Sequence, residues 1–387
     1  MAVRGAPVKP AGVAELCVVI APDSFKGSLA AREVAEAIAA GWREARPTDD
    51  IRVLPQADGG EGTLDAIEAA VPGSVRHDVG AVTGPDGRTV PGVWLELPGR
   101  VGVVELAQCC GLPLMRELDP LGATTLGLGE VIRAALAQGI DRLVIGLGGS
   151  ASTDGGAGAL SALGLRGTDG ATFPLGGGAL ARLDGLDRGA LLAPPSGGVV
   201  LLSDVSAPLL GPLGAAAVFG PQKGASPEQV GVLDAALSRF ASLLGGDPTV
   251  PGAGAAGGTG YGFLAAWGAT IESGADYLAR LSGLPDTLAQ ADVLLTGEGR
   301  FDATSSSGKL VGQVIRLAAG HAAAVGIIAG QVATQPIGSR GEPLWSVALT
   351  DLAGSVEAAM AHPTRWLREA GGAAATALAP DRSIGAR

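Results

Sequence analysis

At 387 residues and a formal net charge of −11, the chain is long enough for two domains with separate cores and too acidic to favour nucleic acid or an anionic membrane as partner. Aromatic residues make up 3% and glycine fills 64 positions, so small aliphatics must build the core and the excess glycine belongs to turns and binding loops. The three cysteines, Cys17, Cys109 and Cys110, make no disulfide framework, and no apolar run reaches the ~18 residues of a membrane span; a cytoplasmic protein is expected.

In chain order, residues 1–14 read as a disordered leader. Leu16 to Ile20 is a continuous apolar run, the pattern of a strand buried on both faces. The turn Asp23-Ser-Phe-Lys-Gly27 follows, then Ser28 as N-cap of a helix with Val34, Ile38 and Trp42 on one face. A second strand at 51–54 leads into Gln56-Ala-Asp-Gly-Gly-Glu-Gly62 and a helix carrying Leu64, Ile67 and Val71. This βαβα opening puts both polar turns after strands, where open α/β sheets bind ligands.

Further strands are expected at 101–106, 143–145 and 199–202, with a helix around 127–137. The third of these strands runs into Ser203-Asp-Val-Ser206. Gly146 to Gly158 has the layout strand, glycine-rich turn, helix, with Ser152, Thr153 or Asp154 as N-cap. That layout aims several backbone N–H groups and a helix N-terminus at one point, as a phosphate cradle requires. Ser226-Pro-Glu-Gln229 is a capping box. The βα texture returns with a strand at 291–296, the turn Gly297-Glu-Gly-Arg-Phe-Asp302, and a helix capped at 305–307. Strands at 325–329 and 346–349 complete the chain. The predicted class is α/β: a discontinuous Rossmann-like parallel-sheet domain over 1–75 and 288–387, and an inserted mixed α/β domain over 76–287.

Only four of the 27 basic residues are lysine, and three of them, Lys26, Lys223 and Lys309, lie in glycine-containing turns. That placement suits a compact ammonium rather than a planar guanidinium. His77, His321 and His362 all lie outside the glycine-rich turns. A general base in those turns is therefore a carboxylate, and a metal there is a hard, oxygen-liganded ion such as Mg2+. Lysines, N–H cradles and carboxylates around Asp23, Asp58, Gly148, Asp204, Lys223 and Asp302 together suit phosphoryl transfer, which needs positioning and charge neutralisation. No Walker phosphate loop occurs, and the formal G-x-G-x-x-A match at Gly146 lacks the acidic residue a dinucleotide site places about 20 residues further on.

The set Ala21-Pro-Asp-Ser-Phe-Lys-Gly-Ser-Leu29, Ala57-Asp-Gly-Gly-Glu-Gly-Thr63, Gly148-Gly-Ser-Ala151 with Asp154-Gly-Gly-Ala-Gly158, Phe219-Gly-Pro-Gln-Lys-Gly-Ala225, Pro251-Gly-Ala-Gly-Ala-Ala-Gly-Gly258 and Thr296-Gly-Glu-Gly-Arg300 closely resembles the bacterial glycerate kinase family, type 1. The resemblance runs in order from about residue 16 to 375. It implies ATP-dependent phosphorylation of D-glycerate, typically at the 2-hydroxyl, in glycerate or glyoxylate catabolism. It also implies two α/β domains with the active site in the cleft between them. The chain departs from the family pattern at 203–207, where Ser-Asp-Val-Ser-Ala stands for the usual Cys-Asp-Val-Thr-Asn, and at Thr153, Thr304 and Ser307.

Turn placement and charge type suggest roles. Lys26 neutralises the transferred phosphoryl, and Asp58 or Asp204 acts as base or orients the acceptor hydroxyl; turn capping is the alternative for Asp204. Asp23, Ser24, Arg300 and Lys309 are expected at the substrate, with a turn cap as the alternative for Asp23 and a surface ion pair as that for Arg300. Gly148, Gly149, Ser150, Thr153, Gly155 and Gly156 would cradle phosphate, with Lys223 nearby. Glu298 and Asp302 are candidates for Mg2+, with capping as their alternative. The partners expected are glycerate and a nucleotide, for a monomer or homodimer. The competing functions are a small-molecule kinase of the galactokinase, mevalonate or homoserine type, and a catalytically silent metabolite sensor.

Overall fold

The computed structural model describes residues 15–168, 173, 175–306, 310–321 and 323–379. The leader expected over 1–14 and the expected site residue Lys309, with Ser307, lie outside the described residues.

The chain opens with strand β1 (Cys17–Ile20), helix α1 (Ala31–Ala45) and strand β2 (Asp50–Val53). Helix α2 (Thr63–Ala70) and strands β3 (Val75–Thr83), β4 (Thr89–Leu97) and β5 (Val101–Glu105) follow. Next come α3 (Leu126–Ala137), β6 (Arg142–Gly146), α4 (Ala157–Ala162), β7 (Val199–Leu202), α5 (Pro227–Leu244) and α6 (Ala255–Trp267). Strand β8 (Thr270–Glu272) and helix α7 (Gly274–Leu281) precede β9 (Val293–Thr296), α8 (Leu310–Ala318), β10 (Ala324–Ala329), β11 (Trp345–Ala348) and α9 (Pro363–Leu378).

These elements divide into two compact units, residues 1–55 with 284–387, and residues 56–283. In the first, the five strands run in the order β11-β10-β9-β1-β2, every pair parallel. The apolar run of β1 lies between two neighbours, and Val18, Val19 and Ile20 are fully buried. Val34, Ile38 and Trp42 form the buried stripe of α1, which packs on α9. The cap of α1 is not Ser28: the helix starts at Ala31, and the Glu33 carboxylate accepts the Ala30 N–H at 3.0 Å. Ser28 instead closes the preceding turn onto the Phe25 carbonyl at 2.8 Å. Counted along the chain, the strand order is 2-1-3-4-5, that of flavodoxin-type doubly wound sheets rather than the 3-2-1-4-5-6 of a dinucleotide-binding Rossmann domain. Its switch point falls between β1 and β9, so the turns after those two strands border the crevice where such sheets bind ligands.

The second unit holds a six-stranded sheet in the order β8-β7-β6-β5-β4-β3. Strands β5 to β8 are parallel, and β4 and β3 turn antiparallel at one edge. Residues 56–75 belong here and not, as expected, to the first unit. Leu64 and Ile67 of α2 are fully buried in a cluster with Leu95, Val103, Val144, Leu202 and Leu278. The chain leaves the first sheet after β2, and the apolar face of α2 finds its cover on the other one.

Candidate active site

Three chain segments meet at the C-terminal ends of β6 and β7. The Gly148 N–H donates to the Gly59 carbonyl at 2.9 Å, and a Cβ on Gly148 would stand 2.4 Å from the Gly60 Cα. A Cβ on Gly274 would stand 2.2 Å from the Asp58 carbonyl oxygen. Backbone contact this close excludes any side chain, which accounts for glycine at both positions. The Asp58 loop, the start of the glycine-rich stretch and the N-terminus of α7 are thereby pressed together. Within the loop, Asp58 Oδ1 accepts the Gly60 N–H at 3.0 Å.

Asp204, two residues beyond β7, joins this group and accepts from the Ser273 hydroxyl and the Gly274 N–H. Its carboxyl is held above the usual carboxylate range. Crowding that strips water from it is the largest cause, and the negative charges of Asp58 and Asp276 add to it against those two hydrogen bonds. Both carboxylates expected to do chemistry reach the same place, and the surroundings of Asp204 favour its protonated form. Ser273 and Gly274 were not among the expected site residues. Ser273 caps α7 by accepting the Asp276 N–H at 3.1 Å, and Ser-Gly-Ala-Asp276 is a readable capping signature, although nothing in it points to Asp204.

The expected phosphate cradle separates into two parts. Gly148 is half-buried and Gly149 exposed beyond the C-terminal end of β6, whereas every residue from Ser150 to Leu160 is buried. A Cβ on Gly155 would meet the Phe240 ring at 3.0 Å, and one on Gly156 would meet the Thr259 Cα at 3.2 Å. Thr153, Gly155 and Gly156 therefore sit inside the unit, where the chain packs on α5 and α6. The N-cap of α4 is Gly156, at φ 77°, and not Ser152, Thr153 or Asp154. Asp154, two residues earlier, still serves the helix start: its carboxylate accepts N–H groups from Thr125, Gly156 and Gly158 at 2.9–3.2 Å, and the Thr125 hydroxyl at 2.9 Å. Burial pushes this carboxyl up in spite of those bonds. The Ser152 and Thr153 hydroxyls are buried with no hydrogen-bond partner among the described residues.

Lys223 lies beneath the same turn with 2% exposure. Its Nζ donates to Ser150 Oγ at 2.8 Å and to the Ser152 carbonyl. Burial lowers its pKa to about 7, partly opposed by the charge of Asp154. The residue expected beside a phosphate is thus a buried strut of the glycine-rich turn.

In the first unit, the turns after β1 and β9 are joined by Asp23 N–H donating to the Gly297 carbonyl at 2.8 Å, and Thr296 Oγ1 to the Ala21 carbonyl at 2.7 Å. Asp23 Oδ1 accepts the Ser24 N–H at 2.6 Å, while the buried Ser24 hydroxyl has no hydrogen-bond partner among the described residues. Lys26 is exposed on this turn and Glu298 half-buried on the other. Asp302 Oδ1 takes the Thr304 N–H and hydroxyl at 2.9 and 2.6 Å, so it caps the short helix Ala303–Ser306. Its Oδ2 lies 4.0 Å from Nε of the exposed Arg300. Among the described residues no three His, Cys, Asp or Glu come together as a metal cluster. Glu298 and Asp302 are oxygen donors of the hard kind that Mg2+ takes, with Asp302 Oδ1 already engaged by Thr304.

The family model described as the glycerate kinase family matches residues 18–379. The chain belongs to the glycerate kinase family. Its relatives include the glycerate kinase of Bacillus subtilis, 42% identical over 326 residues that cover 81% of this chain and 85% of that protein. The glycerate 2-kinase of Escherichia coli is 41% identical over 304 residues, 76% of this chain and 79% of that one. A crystal structure assigned to glycerate kinase 2 of Salmonella typhimurium LT2 superposes with a TM-score of 0.76 at 35% identity, covering 94% of this chain and 98% of the other.

Proposed function

We propose that this chain is an ATP-dependent glycerate kinase that phosphorylates D-glycerate at its 2-hydroxyl. The observation that carries this reading is the family match over residues 18–379, a span that includes every described turn discussed above. The 2-position follows the Escherichia coli relative.

In the reaction the glycerate hydroxyl oxygen bonds to the γ-phosphorus, the bond from phosphorus to the β,γ-bridging oxygen breaks, and ADP leaves. The hydroxyl proton passes to a carboxylate. Asp204 suits that role because its surroundings already favour the protonated form, and Asp58 raises its proton affinity further. Lys26, exposed on the turn after β1, supplies positive charge to the transferred phosphoryl. Gly149 offers exposed backbone beyond the C-terminal end of β6 for phosphate oxygens, while Gly148, its N–H taken by the Gly59 carbonyl, fixes the turn and Ser150 is held from below by Lys223. Asp23, Ser24 and Arg300 are assigned to the glycerate carboxylate and hydroxyls. Glu298 and Asp302 would hold Mg2+, whose chemistry is to neutralise phosphate charge. Buried or half-buried free thiols at Cys17, Cys109 and Cys110 support a reducing, cytoplasmic setting. Among the described residues no helix is long and apolar enough to cross a membrane.

The test is ADP release from ATP on adding D-glycerate, with homoserine, mevalonate and galactose as controls, and the product's phosphate position read by 31P NMR. Turnover with a control but not with glycerate would overturn the assignment, and a 3-phosphate product would overturn the regiochemistry.

A further inference from the structure

Glu105 has no part in the chemistry above, yet it is a carboxylate with 1% exposure at the end of a parallel strand. It is the last residue of β5, in register with Gly146, where the glycine-rich stretch begins. Its two oxygens are both engaged: Oε1 accepts the Gly62 N–H at 3.1 Å and Oε2 the Leu64 N–H at 2.9 Å. These are free amides at the N-terminus of α2, whose own N-cap, Gly62, has no side chain and sits at φ 89°. A helix of this length needs partners for its first N–H groups, and here a distant strand provides them. The residues clamped this way end the Asp58 loop, which Thr63 Oγ1 ties back to the Gly60 carbonyl at 2.7 Å.

We propose that Glu105 is a positioning residue for the Asp58 loop: by clamping Gly62 and Leu64 to the end of β5 it holds Asp58 where its charge acts on Asp204. This inference rests on the glycerate kinase reading above. Ionised, Glu105 offers both oxygens as acceptors; protonated, one of them becomes a hydroxyl and releases an amide. Burial raises its pKa to about 7, opposed by the Leu64 and Gly62 N–H groups. Among the described residues the other groups facing it are Asp65 on α2, whose charge raises it further, Gln108, 3.5 Å away, and the Cys109 thiol. The clamp therefore tightens as pH rises through neutrality.

The experiment compares kcat and KM for D-glycerate in the wild type and Glu105→Gln from pH 6 to 9. Glu105→Gln mimics the protonated clamp. Its kcat is expected to lie about 10- to 100-fold below wild type at pH 8.5, as for a catalytic group displaced by a fraction of an ångström. The gap should narrow toward pH 6, with KM little changed. Because both proteins retain Asp204, the ratio of their rates isolates Glu105. A ratio near one, or one that does not vary with pH, overturns the proposal. Hydrogen exchange in the wild type supplies a readout that needs neither a folded variant nor turnover. Protection of the Gly62 and Leu64 amides, corrected for intrinsic rates, should rise between pH 6 and 8, and unchanged protection overturns the clamp. A wild type that protects these amides as expected but does not phosphorylate glycerate would instead overturn the functional reading.

Discussion

The Gly148 amide donates to the Gly59 carbonyl across 2.9 Å, joining a loop before α2 to a turn nearly 90 residues later. Replacing Gly148 by Ala puts a methyl 2.4 Å from the Gly60 Cα, a distance only backbone movement relieves. A cost of about 1–3 kcal/mol is expected in denaturant unfolding. Because the movement displaces Asp58, kcat should fall on the order of 10²-fold. Full activity in a folded variant would show that this junction does not position the site.

Asp204→Asn separates chemistry from stability. The folded protein holds the Asp204 carboxyl above its ordinary range, so its stabilising contribution is fully present below the unfolded pKa and is lost as pH rises through the folded one. At pH 7–8 the ionised form is a burden, and the asparagine variant should melt at the same temperature or higher. Its kcat should drop about 10²- to 10⁴-fold. A variant that melts lower but turns over normally would reassign Asp204 to structure.

Lys26→Ala is the converse case. The side chain is exposed, so thermal stability should change by no more than about 0.5 kcal/mol. Loss of a charge stabiliser should lower kcat on the order of 10²-fold. Near-normal turnover would remove Lys26 from the phosphoryl site.

Lys223 should be visible in the pH dependence of stability. Its folded pKa is about 7, below the unfolded value, so between pH 7 and roughly 10 the unfolded chain binds more protons and stability rises with pH. That slope, at most about 1.4 kcal/mol per pH unit for one group, should vanish in Lys223→Met. An unchanged slope in the variant would mean that the lysine keeps its charge while buried.

Much of this molecule is legible one segment at a time. The apolar run of β1, the Val34, Ile38 and Trp42 stripe, and the Ser226–Gln229 capping box each depend on neighbours a few residues away. In the box, the Ser226 N–H donates to Gln229 Oε1 at 2.9 Å and the Gln229 N–H to Ser226 Oγ at 3.3 Å. Turns rich in carboxylates and lysine likewise announce phosphoryl chemistry by residue type. Burial and close backbone approach are decided by segments far apart. Lys26 and Lys223 look alike in sequence, both flanked by glycine, but one is exposed and the other has 2% exposure because the Ser150–Ser152 turn closes over it. Thr153, Gly155 and Gly156 read as a cradle until α5 and α6 cover them. Glu105 carries no local signal, since its partners at Gly62 and Leu64 come from another segment. The chain alone determines the alternation of strands and helices and the chemistry available in its turns. Only the tertiary structure decides the 2-1-3-4-5 strand order, the boundary at residue 55, and which charged groups lose their water, because each is set by which distant surfaces come together.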